Sequence, residues 1–381
     1  MRQIPLLKVF MSPTLDAELL RVIHSGYVGE GVQVKKFESL LCETFKLPRI
    51  LAVNSCTSAL QLALRLANVG YGDVVLTTPA TNMATNSVIL AAGARPVWVD
   101  IDPLTGRVDP SKLPDVLPQG TKALMVMDWG GVPCDLDVLY AYTQSHGIKL
   151  IEDAAHSLGA QYEGEFVGRQ SDFCCFSFQA VKTLSTCDGG ALVCKSKDDH
   201  DRGRLLRWFG IDRDNPSGQR DLRCEANISE YGYKFHMNDV AATIGLANLE
   251  HHPKLLDTMR SNARFYTSQL TLLSKINPNI QPMCVPSEEF GNLPTYWLYT
   301  MQVLKRRDEF ADALRDRGIA CSKVHSRNDR HSCMPMTKDG DLPGVDEFYR
   351  TQLSIPCGWW VSEEDRRYIV DTIAEVSDKF K

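Results

Sequence analysis

The sequence has 381 residues, 44% hydrophobic and 23% charged, with a formal net charge of −5. A chain of this length and ordinary polarity builds two lobes, or one large domain with a smaller one. The absence of a basic run argues against a nucleic-acid or anionic-membrane surface. Twelve cysteines are scattered without a CxxC pair, so zinc-type spacing is missing and no metal site is expected. Cys174 and Cys175, inside the apolar run DFCCFSF, read as small buried hydrophobes of a reducing compartment. The opening MRQIPLLKVFMSPTLD lacks the apolar stretch and cleavage site of a leader, and no segment is long enough to span a bilayer; the expectation is a cytoplasmic protein.

From residue 50 to 195 short apolar runs alternate with helical patterns. ILAVN (50–54) reads as a strand, followed by a helix with Leu60, Ala63, Leu66 and Ala67 on one face and Gly70 as a stop. DVVLTT (73–78) is a strand, NMATNSVILAAG a helix ending at Gly93, and RPVWVDID (95–102) the next strand. KALMVMDW (122–129) is another strand. In the Gly-rich turn that follows, Trp129 reads as a packing residue and Asp135 as the N-cap of a helix closed by Gly147. IKLIEDAA (148–155) and SDFCCFSFQ (171–179) complete the set, and GALVC (190–194) is a return strand. This alternation predicts a mostly parallel sheet covered on both faces. Residues 201–236 read as polar and irregular, and 238–273 as strongly helical. YWLYTMQVL (296–304), the helix RDEFADALRDRG and IACSKVH (319–325) predict a smaller α+β lobe. The last helix starts at Ser362, with Asp365 completing a capping box. The expected division is a large domain over 1–250 and a small one over 251–381.

Open parallel sheets place ligand sites at the carboxyl ends of their strands, and four groups fall there. Asn54-Ser55-Cys56-Thr57 opens a helix, whose free N–H groups and dipole suit a phosphate or simply need a cap. Asp153 could be a metal ligand, a ribose binder or a charge partner. Ser177 sits within an apolar strand. Lys182, just beyond a core strand, is a residue type seldom buried. Taken together, a phosphate cradle, a carboxylate and a partly desolvated lysine are what pyridoxal phosphate requires: the amine forms a Schiff base and the carboxylate keeps the pyridine nitrogen protonated. No GxGxxG follows the first strand, which counts against a dinucleotide enzyme.

With those residues in view, the chain resembles the DegT/DnrJ/StrS group of nucleotide-sugar aminotransferases of PLP fold type I. The resemblance rests on SGYVGEGVQVKKFE (25–38), VNSCTSALQLAL (53–64), IEDAAHSLGAQYEG (151–164), FSFQAVKTLSTCDGGALV (176–193) and YGYKFHMNDVAATIGLANL (231–249), in that order along the chain. It implies an aspartate-aminotransferase-like large domain, a pyridoxal phosphate cofactor, and a homodimer with composite active sites. Lys182 would be the Schiff-base lysine, Asp153 the partner of the pyridine nitrogen and His156 the neighbour of the 3-hydroxyl. Cys56, Thr57 and Ser177 would contact the phosphate. Lys234 and His236 would lie in the stretch that reaches across the dimer. Lysine rather than histidine at 182 implies transamination and not sugar dehydration. The five residues TLSTC between Lys182 and Asp188 resemble the C-4 enzymes more than the C-3 ones. The amino donor implied is L-glutamate and the acceptor a keto group on a nucleotide-linked deoxysugar. Asn82 stands where the group usually presents an aromatic ring to the cofactor. WFGIDRDN (208–215) and VHSRNDRHS (324–332) offer Arg213, His325 and Arg327 as candidate substrate contacts, since arginine suits phosphate.

Overall fold

The computed structural model describes residues 2–214 and 227–380. Two helices, α1 (Leu15–Ile23) and α2 (Val32–Phe45), precede the first strand. The alternating region then runs β1 (Ile50–Val53), α3 (Cys56–Leu66), β2 (Val74–Thr77), α4 (Met83–Ala91), β3 (Arg95–Trp98), β4 (Thr121–Met127), α5 (Leu136–Ser145) and β5 (Lys149–Asp153). A small hairpin, β6 (Gln161–Tyr162) and β7 (Glu165–Phe166), leads to β8 (Phe173–Ser177) and β9 (Gly190–Cys194). The central sheet has seven strands in the order β1-β9-β8-β5-β4-β2-β3. Only β9 runs against the others, pairing antiparallel with both β1 and β8, as its reading as a return strand requires.

Side chains alternate across this sheet with the two-residue period of a strand. Ala52, Leu124, Val126, Leu150, Cys174 and Val193 enter one core with Phe37 and Leu41 of α2. Leu51, Val53, Met125, Ile151, Cys175 and Leu192 enter the other with Leu60 and Ala63 of α3. The adjacent cysteines 174 and 175 thus face opposite cores, both buried, and every described cysteine is free.

Helix α6 (Lys197–Leu206) opens the stretch read as irregular, capped by Ser196. Within that stretch, residues 215–226 lie outside the described residues. The helical run after 238 is two helices, α7 (Asp239–Leu249) and α8 (His252–Ile276). The buried face of α7 meets α2, and its Asp239 carboxylate accepts from the N–H groups of Gly31 and Val34 at 2.9 and 3.1 Å. It caps α2 from two hundred residues away.

The second lobe holds an antiparallel sheet of β10 (Ile280–Gln281), β11 (Tyr299–Val303) and β12 (Gln352–Ile355). Its helices are α9 (Arg307–Asp316), α10 (Pro343–Thr351) and α11 (Glu363–Ser377). Ser362 and Asp365 form the predicted capping box. Tyr266, Leu270, Tyr299, Phe310, Leu314, Leu353 and Ile369 share one core with Ile4. Ile4 is held by Ile4 N–Gly318 O and Ala320 N–Ile4 O bonds of 2.8 and 3.0 Å, so the N-terminal residues belong structurally with this lobe. Trp129 is buried against Phe348 (ring centroids 5.0 Å apart), in a small core with Ala80 and Val345 that joins the lobes.

Gly190 shows how tightly the site end of the sheet is drawn together. It pairs with Val53, and a Cβ there would lie 2.4 Å from both the Cys56 nitrogen and the Ser55 carbonyl carbon. Those are backbone atoms and cannot swing aside. Gly190→Ala is expected to cost about 1–3 kcal/mol, read as a lower urea midpoint at unchanged slope, and to weaken cofactor binding by shifting the start of α3.

Candidate active site

The carboxyl ends of β1, β5 and β8 converge on one cleft of about 470 Å³. Ser55, extended and at the N-cap of α3, accepts from Ser58 N at 3.1 Å. The N–H groups of Cys56 and Thr57 have no partner inside the helix, because first-turn donors never do, and they stand at the positive end of its dipole. Ser177, last residue of β8, lines the same cleft.

Asp153 ends β5 and is buried. Thr85 Oγ1 donates to its Oδ2 at 2.6 Å and Ala155 N to its Oδ1 at 3.1 Å; the Cys56 thiol approaches Oδ1 at 3.9 Å. Burial pushes its pKa up, while these donors and the Lys182 charge pull it down. A buried carboxylate with this many donors is prepared for a cationic partner.

Lys182 follows β8 in a turn closed by Lys182 N–Gln179 O at 2.9 Å. Its Nζ sits 3.7 Å from the ring centre of Trp297, which is itself fixed by an Nε1–Val181 O bond of 2.8 Å. Burial lowers the amine to about 8, against the pull of Asp153. The residue as a whole keeps some solvent contact; the desolvated part is the amine end. His156 stacks on Trp297, centroids 3.8 Å apart at 23°. Burial, then the charge of Lys182, holds it well below the usual histidine range. Its Nδ1 is buried with no hydrogen-bond partner, an orphan that a ligand oxygen would satisfy.

Asn82 caps α4 through Ala84 N at 2.9 Å and reaches His325 Nδ1 with its own Nδ2 at 3.3 Å. Both line the cleft. Trp297 and His325, near-parallel at 17° with centroids 6.4 Å apart, bring aromatic surface to a wall where position 82 has none. Trp297 had no role in the sequence reading; inside YWLYTMQVL it looks like one more strand residue. Its place follows from Tyr296, whose φ of 55° breaks the chain away from β11.

The other sequence candidates lie elsewhere. Arg213 donates to Glu30 Oε2 at 2.6 Å and stacks over Trp208, in a separate surface pocket with Tyr27 and Arg207. Arg327 pairs with Asp329 and Asp346 at 2.7 and 2.5 Å and lines a neighbouring pocket that shares only His325 with the cleft. Lys234 is exposed and His236 packs edge-on against Trp208; neither lines the cleft of its own chain. Asp135 does occupy the N-cap position of α5, but its carboxylate pairs with Arg107 at 3.0 Å instead of capping.

The profile of the DegT/DnrJ/EryC1/StrS aminotransferase family matches residues 11–374. The chain belongs to this family. The solved structure of AtS13 from Actinomadura melliaura superposes with a TM-score of 0.90 at 39% identity, over 98% of this chain and 99% of that one. A UDP-4-amino-4,6-dideoxy-N-acetyl-beta-L-altrosamine transaminase of Campylobacter jejuni is 30% identical over 95% of this chain and 94% of its own length. Spr1654 of Streptococcus pneumoniae in its PLP form has a TM-score of 0.87 at 25% identity, covering all of both chains. The chain is a sugar aminotransferase of PLP fold type I, and pyridoxal phosphate is its cofactor. The cleft fits that group: a helix N-terminus with free donors, a buried carboxylate, an orphaned histidine nitrogen and an amine of lowered pKa all open on one volume.

Only the neutral amine attacks an aldehyde. Cofactor-free protein mixed with pyridoxal phosphate is therefore expected to bind it covalently at a rate that rises with pH through about 8 and levels off above. An exposed lysine would instead keep rising toward 10. Stopped-flow absorbance across pH 6–10 reads the midpoint.

Proposed function

We propose that this aminotransferase moves an amino group from an amino acid, L-glutamate by family likeness, to the C-4 keto carbon of a nucleotide-linked deoxysugar. The observation that carries the reading is the Lys182 amine, held near neutrality by burial and facing Asp153 and Trp297. The short spacing from Lys182 to Asp188 supports C-4, as does the name of the Campylobacter relative, a 4-amino sugar transaminase.

In this reading the first-turn N–H groups of Cys56 and Thr57, with Ser177, hold the cofactor phosphate. Asp153 pairs with the ring nitrogen, His156 lies beside the 3-hydroxyl, and Asn82 lies against the ring face. When bound, pyridoxal phosphate supplies the electron sink for the pair left behind as the substrate carbon loses its proton. Lys182 Nζ takes that proton and returns it on the other side of the transfer, which a neutral amine does and an ammonium cannot. Trp297 keeps water from the amine. His325 contacts the sugar substrate.

The molecule works as a homodimer in this reading, and Lys234 and His236 serve the cleft of a second copy. Their absence from the cleft of their own chain supports that, as do the exposed apolar side chains Tyr27, Val28, Val32 and Tyr231 beside them in the sequence motifs. Arg213 has no contact with the cleft of its own chain and is given no role there. That the described cysteines form no disulfide is consistent with a cytoplasmic site of action.

The test is incubation with glutamate and a panel of 4-keto and 3-keto nucleotide sugars, products read by mass spectrometry. A 4-amino product is expected, and Lys182→Ala is expected to lower its formation by about 10²–10⁴-fold. A 3-amino or a dehydrated sugar would overturn the C-4 reading.

A further inference from the structure

We propose that His252, the first residue of α8, is a positioning residue for Lys182 and acts through the Thr183 hydroxyl. This rests on the role given to Lys182 above, which makes two demands on one residue. The amine has to travel, since it joins the cofactor at one stage and carries a proton at another. Its Cα has to stay still, because a misplacement of about 1 Å costs ~10²-fold in rate. Lys182 sits in the turn beyond β8 and not on the strand itself, so that turn needs a hold that the sheet does not give.

Within the turn, Lys182 N donates to Gln179 O and Thr186 N to Phe178 O, both at 2.9 Å. The residues on either side of Lys182 are then fixed from outside. Val181 O accepts from Trp297 Nε1 at 2.8 Å, and Thr183 Oγ1 lies 3.2 Å from His252 Nε2. A third contact comes from α7, where Asn248 Nδ2 donates to Ser185 O at 2.8 Å. Asn248 is itself held, since its Oδ1 accepts from Ser12 N at 2.8 Å. Positions 181, 183 and 185 are thus all tied to residues distant in sequence. The backbone around Lys182 is pinned and the side chain is what remains free to move.

His252 is buried and boxed in. Phe45 of α2 meets its ring edge-on, with centroids 5.6 Å apart, and a Cβ on Gly159 would lie 3.0 Å from its Cε1. The ring has no room to swing. Burial, with the charge of Arg260, lowers its pKa to about 3, so near neutral pH it is uncharged and carries one N–H. Its Nδ1 is buried without a partner. A bare nitrogen there costs less than a stranded N–H, which places the proton on Nε2 and makes Nε2 the donor to Thr183. Neither His252 nor Thr183 lines the cleft, so the effect on the amine passes through the backbone of the turn and not through contact with a ligand.

The test is a double-mutant cycle on the full-length enzyme. His252→Phe keeps the ring and removes the donor, and Thr183→Val keeps the shape and removes the acceptor. Each is expected to lower kcat at least tenfold with KM for the amino donor unchanged. Each is also expected to move the pH midpoint of pyridoxal phosphate capture from about 8 toward 10, as the amine gains water. The double variant is expected to be no worse than either single one, because one bond is lost in all three. His252→Gln, which puts an amide N–H near the place of Nε2, is expected to recover most of the rate. Losses that multiply in the double variant overturn the proposal. So does a His252→Phe protein with full kcat and an unmoved midpoint whose only change is a lower urea midpoint, since the ring would then merely fill space. Thr183→Val, at a half-buried turn position, carries the test alone where His252→Phe does not fold. Lys182→Ala reports the lysine's own role separately: it is expected to abolish covalent capture, which the other variants retain, so the role of Lys182 and its positioning by His252 are read from different proteins.

Discussion

Everything in the large lobe is arranged around keeping a carboxylate and an amine out of water in the same cleft. Burying either alone costs several kcal/mol, and the chain offsets that with short, directed contacts. Asp153 has the Thr85 hydroxyl and the Ala155 N–H; Lys182 has the face of Trp297 and the charge of Asp153. Sheet order makes these contacts available. Asp153 and Cys175 are paired neighbours on β5 and β8, Ser177 pairs with Gly190 of β9, and Gly190 with Val53 of β1. Residues far apart in sequence become a row at one edge of the sheet, and the turn carrying Lys182 rises directly from it.

The strand period also explains why only one of three neighbouring acids reaches the cleft. Glu152 precedes Asp153 and so points to the opposite face, where it meets Asp128 at the end of β4. Burial raises the pKa of both; the charge of Asp128 raises Glu152 further, whereas the hydrogen bond to Glu152 pulls Asp128 down. Ser171 Oγ donates to Glu152 at 2.8 Å and Cys134 N to Asp128 at 3.0 Å. One proton shared between two such carboxyls satisfies the pair without a counter-ion. Asp153, separated from them by the sheet, has hydroxyl and amide donors that favour its ionised form.

The sheet, its return strand and the residues at its strand ends were legible because they rest on local patterns: two-residue alternation, a Gly-Gly pair before β9, and Ser362 and Asp365 three residues apart. Lys182, Asp153 and His156 fall in one cleft as the motifs imply. What could not be read depended on partners distant in sequence. Arg213 and Arg327 look like free phosphate binders until Glu30 and Asp346 are found beside them. Asp135 resembles a cap until Arg107 claims its carboxylate. Helix α6 was lost in a charged stretch whose only start signal was Ser196. Trp297 was hidden by its own apolar neighbours, since nothing in YWLYTMQVL announces the left-handed residue that turns the ring toward Lys182.

The two lobes divide the labour of the cleft between them. The groups matched to the cofactor come from the ends of the parallel strands and the turns beyond them, whereas Trp297 and His325, which close over the amine, come from beyond residue 250. A contact between lobes fixes their mutual position: Trp129, at the end of β4, is buried edge-on against Phe348 of α10 and bonded through Nε1 to Thr300 Oγ1 at 3.3 Å. A close-packed core of this kind transmits position and does not absorb it. Tyr349 follows Phe348 directly and lies 6.4 Å from Trp129, ring to ring, with the Arg327 guanidinium 5.9 Å from its ring centre. The same packing that holds the lobes together beside the Lys182 amine therefore also sets where the neighbouring pocket lined by Arg327 and Tyr349 stands relative to that amine.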